Sequence, residues 1–351
     1  MRMPTPEGQP IDDATTVLTS TAVEAVGRLY YAAHVAQGDF EQLPDRGEYL
    51  EFDEAVRPAL LRYFGADFSV GMSLAGLAVR EGWGTTRELI DGVRQLGRDE
   101  FVEALLSSTT LEEKDATATS RAVREALRDP SAMASAARRI ASRNAYRRAD
   151  VEYVLTHPHE ASQEILALLT QSAQHVDEQS AHSTLALHAA STATLVESLG
   201  REKALLRLTG GWTLRDPHQS VILVPTQSLG PLVITRLLDD GQIAVMYGPP
   251  RDRAKEFSAA DVVAVSRALS NEQRLAILAE IRIEPASGQT LAKRLGLTQA
   301  TVHYHTSMLR SAGLISTMRD ARSVLHVLDR DRVPEALSGI AKVILGESLD
   351  S

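Results

Sequence analysis

The stretch from residue 288 to residue 313, GQTLAKRLGLTQATVHYHTSMLRSAG, constrains this chain more than any other part of it. Leu291, Ala292 and Leu295 recur at helical spacing, and Gly296 supplies the left-handed position that ends a short helix. Leu297 and Thr298 then make the turn. Thr298 caps the next helix, and Leu297 can pack on Val302 as a staple. This second helix runs to about Ala312 and buries Val302 and Leu309. Its other face carries Ala300, Thr301, His303, Tyr304, Ser307 and Met308, and Gly313 stops it.

A short helix, a tight glycine turn and a second helix with small and polar residues at its start meet the steric needs of the DNA major groove. Small side chains let the helix approach, and Gln, Thr, His and Tyr offer donors and acceptors to base edges. Residues 314–318 and 323–328 alternate as a two-stranded wing. Its tip, Arg319-Asp320-Ala321-Arg322, sets two guanidinium groups where a phosphate or the minor groove would lie. The expected contact residues are Thr298, Gln299, Ala300, Thr301, His303, Tyr304, His305, Ser307, Arg319 and Arg322, with His305 expected to pack or to bond near the backbone.

LSNEQRLAILAEI at 269–281, LAKRLGLTQATVHYHTSMLRSAGLI at 291–315 and the short basic wing together resemble the ArsR-type winged helix-turn-helix regulators. The resemblance covers about 75 residues in good order. It implies a homodimer on double-stranded DNA with a partly palindromic operator, most often acting as a repressor. The family's recognition stretch, Ser/Thr-Gln-x-Thr-Val-Ser-x-His-Leu, falls on Thr298, Gln299, Ala300, Thr301, Val302, His303, Tyr304, His305 and Thr306. His303 stands for the usual Ser and Thr306 for the usual Leu, and the wing tip lacks its usual Gly. The family's metal sensors use Cys pairs, or His and carboxylates on a C-terminal helix. This chain has no Cys and no His in 334–351, so neither metal nor cofactor is expected. Residues 206–250, with Ile222-Leu223-Val224-Pro225 and Met246-Tyr247-Gly248-Pro249, resemble the linking segment of longer ArsR-like regulators.

The net charge of −9 conceals a division. Residues 258–333 hold 10 Lys and Arg against 7 Asp and Glu, while the rest hold 27 against 39. A mildly basic module on an acidic body suits DNA, because the field at the docking face matters more than the total.

Before that module, residues 15–209 read as successive helices. Val23, Val26, Leu29, Tyr30 and Ala33 keep helical spacing, and Thr85/Glu88 and Thr110/Glu113 fit capping boxes. Asp129-Pro130 ends one helix, residues 131–155 form another that His157-Pro158 breaks, and 160–199 are helical again as two pieces. Beyond Gly210-Gly211, residues 220–226 and 243–247 are β-branched runs. Residues 232–238 read as either strand or helix, and Asp239-Asp240-Gly241 reads as a turn. Ser258 is expected to cap one later helix, and Ser270 with Gln273 to box the next, with Leu275, Ile277, Leu278 and Ile281 inward.

The expected architecture is mainly α: a flexible leader at 1–14, a helical sensor or dimerisation domain at 15–209 and a small antiparallel β segment at 210–250. A linker follows at 251–257, then the winged helix-turn-helix at 258–333 and a C-terminal helix or tail at 334–351. The leader lacks a signal peptide's apolar core and no run approaches membrane length, so a cytoplasmic protein without membrane contact is expected. His175, Glu178 and His182 share a helix face that could ligate a divalent ion, although such a face usually meets water. Gly71-x-Ser73-x-x-Gly76 has the wrong spacing for a nucleophile elbow, and no phosphate loop or dinucleotide fingerprint occurs, so no enzyme is expected. The function implied is a dimeric regulator that answers a small-molecule effector in its N-terminal region. The alternative is a constitutive architectural or adaptor protein whose large domain binds another protein.

Overall fold

A computed structural model describes residues 8–12, 14–37, 52–66, 68–107, 113–174, 177–209, 214, 216, 218–229, 233–238, 241–248, 259–320, 323–329 and 332–345. The chain starts with two short strands, β1 (Gln9–Asp12) and β2 (Thr15–Val17). Then come α1 (Thr21–Ala36), α2 (Arg57–Phe64), α3 (Ser73–Glu81), α4 (Thr86–Gln95), α5 (Arg98–Leu105) and α6 (Glu113–Arg128). Five further helices follow: α7 (Met133–Asn144), α8 (Arg148–Thr156), α9 (Pro158–Gln174), α10 (Glu178–Leu199) and α11 (Arg201–Thr209). Strands β3 (Val221–Pro225), β4 (Val233–Leu237) and β5 (Ile243–Tyr247) complete this body.

The five strands form one sheet in the order β1-β2-β3-β5-β4. The mainly α class holds, but the sheet is mixed where an antiparallel one was expected: β2–β3 and β3–β5 are parallel, β1–β2 and β4–β5 antiparallel. Both faces are covered. Ala244 and Met246 of β5 face the core made with α1–α9, whereas Ile243, Val245 and Tyr247 face Ala204, Leu205 and Leu208 of α11 and Val196 of α10. Burial on both faces is why β5 reads as an unbroken apolar run. Tyr247 Oη lies 2.6 Å from Thr192 Oγ1 and ties α10 to the sheet. The leader expectation for 1–14 is corrected at residues 9–12, which pair with β2. Such short polar strands have no apolar alternation to announce them.

Helix α1 is buried almost all round, as a central helix must be. The Thr85 capping box on α4 is present with both of its bonds, while Thr110 lies outside the described residues. Glu164 of α9 accepts from Arg62 (2.7 Å) and Tyr63 Oη of α2 and from Tyr153 Oη of α8 (3.2 Å), and Arg62 stacks 3.8 Å over the Tyr153 ring. These contacts hold three helices at one carboxylate. The helix expected over 131–155 is broken. Ala145 takes φ 54°, ending α7 before α8 begins, with no Gly or Pro to signal it.

The C-terminal module contains α12 (Ala259–Leu269), α13 (Glu272–Ile281), β6 (Ala286–Ser287) and α14 (Gly288–Leu295). After these come α15 (Gln299–Ser311), β7 (Ile315–Asp320), β8 (Ser323–Leu328) and α16 (Arg332–Leu345). Strands β6, β8 and β7 make an antiparallel sheet in that order. Val265, Ile277, Ile281, Leu291, Val302, Leu309, Leu314 and Ile315 form its own core, which Val333, Ala336 and Ile340 of α16 also enter. Asn271, not Ser270, caps α13, accepting from Arg274 N at 3.2 Å, and Leu275 is exposed rather than inward. Arg274 in turn donates from Nε to the Ala268 carbonyl (2.6 Å), closing the C-terminus of α12. The expected cap at Ser258 and the turn residues Gly210, Gly211, Asp239 and Asp240 lie outside the described residues, as does the linker at 251–257.

An alanine in the left-handed region carries a steric cost that glycine does not. Ala145→Gly is expected to stabilise the protein by about 1 kcal/mol. A higher urea midpoint at constant m-value checks this, and an unchanged or lower midpoint would refute it.

Candidate nucleic-acid interface

The turn between α14 and α15 is built from local signals. Ser287 caps α14, accepting from Thr290 N at 3.1 Å. Gly296 takes φ 66° and ends that helix. Thr298 then accepts from Thr301 N at 3.1 Å and starts α15. Leu297, half-buried, packs on the core that holds Val302. Gly313 takes φ 70° beyond the end of α15 and turns the chain into β7.

Thr298, Gln299, Ala300, His303 and Tyr304 are exposed, and Thr301, Ser307 and Met308 are half-buried beside them. Tyr304 is 59% exposed, its ring edge-on to that of His305 at 5.3 Å. No acidic residue stands in the first turn of α15, so its N-terminal partial positive charge is left for a phosphate. Lys293 is exposed on α14, whereas Arg294 is held by Glu284 at 2.6 Å and Glu280 at 3.4 Å.

His305 packs into the module, which takes it off the contact face where it was also placed. It is 5% exposed, with Nε2 2.6 Å from Gln273 Oε1 of α13, so it fastens α15 to the module instead of facing outward. Thr306 is also inward, donating to the Val302 carbonyl at 2.9 Å. That bond explains how a hydroxyl replaces the family's leucine in the core. Arg319 lies on β7, its backbone paired with Val324, while Arg322 and Ala321 lie outside the described residues.

The sequence reading missed the buried arginines behind this face. Arg274 and Arg310 are only 7% and 6% exposed, and a charged side chain in an otherwise apolar periodic position was the available signal. The metal-type face does not assemble among the described residues. Glu178 instead accepts from Thr21 Oγ1 and Thr86 N, and His175 lies outside those residues.

The fold and this face define a winged helix-turn-helix DNA-binding transcription regulator. Residues 269–317 match the helix-turn-helix domain family. The chain is 33% identical to nodulation protein NolR of Rhizobium meliloti over 84 residues, 24% of this chain and 68% of that protein. It is 33% identical to the transcriptional activator HlyU of Vibrio cholerae over 78 residues, 22% of this chain and 72% of that protein. With the HTH-type transcriptional regulator NmtR of Mycobacterium tuberculosis the identity is 32% over 80 residues, 23% of this chain and 67% of that protein. Through this C-terminal region the chain belongs to the ArsR-type winged helix-turn-helix regulators. No helix among the described residues is long and apolar enough to cross a membrane.

Two outcomes follow from the geometry of α15. Gln299→Ala and Tyr304→Ala are each expected to weaken binding to the cognate operator by about 1–3 kcal/mol while sparing random DNA. Equal losses on both DNAs would show that neither side chain reads bases.

The second outcome concerns pH. Burial, with Arg274 nearby, holds the His305 pKa below its ordinary value. The unfolded ring therefore takes a proton at higher pH than the folded one, so stability falls as pH drops through histidine's ordinary range, near 6.5. His305→Gln should flatten that part of the acid slope in urea titrations, and an unchanged slope would exclude the ring as its source.

Proposed function

We propose that the protein is a homodimeric repressor of a partly palindromic operator, acting in the cytoplasm, whose affinity is set by a small-molecule effector bound in the body before the reading module. The exposed N-terminal face of α15 carries the reading. One such helix covers only a few base pairs, so useful specificity calls for two, about one DNA turn or ~34 Å apart.

The dimer reading is supported by the outer face of α16. Val333, Ala336 and Ile340 pack inward, but Leu337, Ile344 and Leu345 are 54%, 76% and 70% exposed, and Val263 of the neighbouring α12 is 50% exposed. Large apolar side chains left exposed along one helix are the kind of surface that a partner covers. Pairing two copies through it leaves both α15 faces free.

The effector reading rests on economy of size and on a contact. The body is far larger than dimerisation needs, and packed helices readily form ligand pockets. Strand β4, the edge of the large sheet, approaches β7 of the wing to within 8 Å between Cα atoms, so a change in the body has a short route to the wing. An effector acts this way only if it binds one arrangement better, with couplings typically about 1–3 kcal/mol.

Sedimentation is expected to show a dimer that Leu337→Glu with Ile344→Glu splits. A monomeric wild-type chain, both free and on DNA, would contradict the reading. In a reporter strain, a fragment starting at Glu256 should repress regardless of growth condition, whereas the full chain responds. If the fragment keeps the full response, the sensor lies in the reading module or α16.

A further inference from the structure

Three helix N-termini converge in the body. Ser20 caps α1, Thr85 caps α4 and Asp177 caps α10. The first helical residues, Thr21, Thr86 and Glu178, meet there. Glu178 Oε1 accepts from Thr21 Oγ1 at 2.7 Å and from Thr86 N at 2.8 Å, and Thr86 Oγ1 donates to the Thr21 carbonyl at 3.2 Å. Aligned N-termini favour an anion, and the anion present is the protein's own carboxylate. Glu178 is half-buried, so its side chain can turn out to water.

Beside Thr21 and Thr86 lies a cavity of about 10 Å³, also lined by Glu24, Ala25, Arg28, Ser172, Ala173 and Ala181. That is room for one oxygen-sized atom. Ser172 is fully buried at 0% exposure, and its Oγ has no hydrogen-bond partner. A buried hydroxyl left unpaired is costly, so a site that keeps one is shaped for something that supplies the bond. Arg28 donates from Nε to Glu24 at 3.1 Å, and both residues line the cavity.

We propose that this is a binding site for a small carboxylate of about the size of acetate, with Glu178 as its built-in stand-in. The incoming carboxylate takes the Thr86 N–H and the Thr21 hydroxyl from Glu178. Its second oxygen fills the cavity, where Ser172 Oγ and Arg28 donate to it, and the alanines leave space for only a small apolar group. One negative charge leaves as another arrives, and the Glu24 carboxylate that lines the cavity is already met by Arg28 Nε, Gln227 N and the Ser228 hydroxyl. The exchange releases the first turn of α10, a helix that also reaches the sheet through Thr192 and Tyr247. That this ligand is the effector rests on the regulator reading above, whereas its binding does not.

The test is a thermal-shift titration of the full-length protein with sodium acetate against sodium chloride at equal ionic strength. Glu178→Ala, which removes the competing carboxylate, should show a saturable rise in Tm at about tenfold lower acetate than the wild type needs. Adding Ser172→Ala should raise the acetate required again. Glu178→Gln, which keeps the side chain's bulk and loses its charge, serves if the alanine variant does not fold. Line broadening of ¹³C-acetate by the wild-type chain, lost in Ser172→Ala, needs no change at Glu178. Identical Tm in acetate and chloride for the Glu178 variants, or binding indifferent to Ser172, overturns the site. Operator affinity with and without saturating acetate is read separately. A change supports the effector role, and no change despite proven binding overturns that role alone.

Discussion

Glu24 is 1% exposed in the middle of the body, and a carboxylate taken that far from water must be met by donors on every side. Arg28 supplies one from the next turn of α1. The others come from the turn after β3. Gln227 N donates at 2.7 Å, Ser228 N at 3.4 Å, and the Ser228 hydroxyl also donates to it. These partners lie more than two hundred residues further along the chain, so one buried charge locks the first helix to the sheet. With β2 pairing beside β3, the start and end of the body are joined. The helices between them can then pack on α1 as a closed shell. His188 faces the same carboxylate, and burial holds its pKa below the ordinary value against the pull of Glu24.

The reading module follows a different logic. Its core is separate from the body's, and several of the polar groups inside it serve the fold. His305 anchors to Gln273, Thr306 to the Val302 carbonyl, and Arg274 to the end of α12. At the start of α15, Gln299, His303 and Tyr304 face outward instead. Side chains that the fold does not use, gathered at a helix N-terminus free of acidic residues, are what a polyanion needs.

How much of this was legible depended on how local the signal was. Gly296, Thr298 and Gly313 each act within a turn of the chain, so the helix-turn-helix could be read residue by residue. The mixed sheet could not, because β2 and β3 are distant in sequence and parallel pairing leaves no hairpin turn between them. The break at Ala145 was hidden by a residue that gives no sign of a left-handed conformation. The inward packing of His305 has the same local origin as the helix-turn-helix. Val302, His305, Thr306 and Leu309 fall at i, i+3, i+4 and i+7, one face of a helix whose ends were already known to be buried.

The central claim is that DNA is read by the outward start of α15 and the wing, with the body outside the contact. Hydrogen exchange of the full-length chain with and without a cognate operator duplex tests this most directly. The account predicts slower amide exchange on DNA confined to residues 298–308 and the β7–β8 wing, with the amides of α9 and α10 showing no protection of comparable size. Unchanged exchange over 298–308, with protection appearing on the body instead, would contradict it.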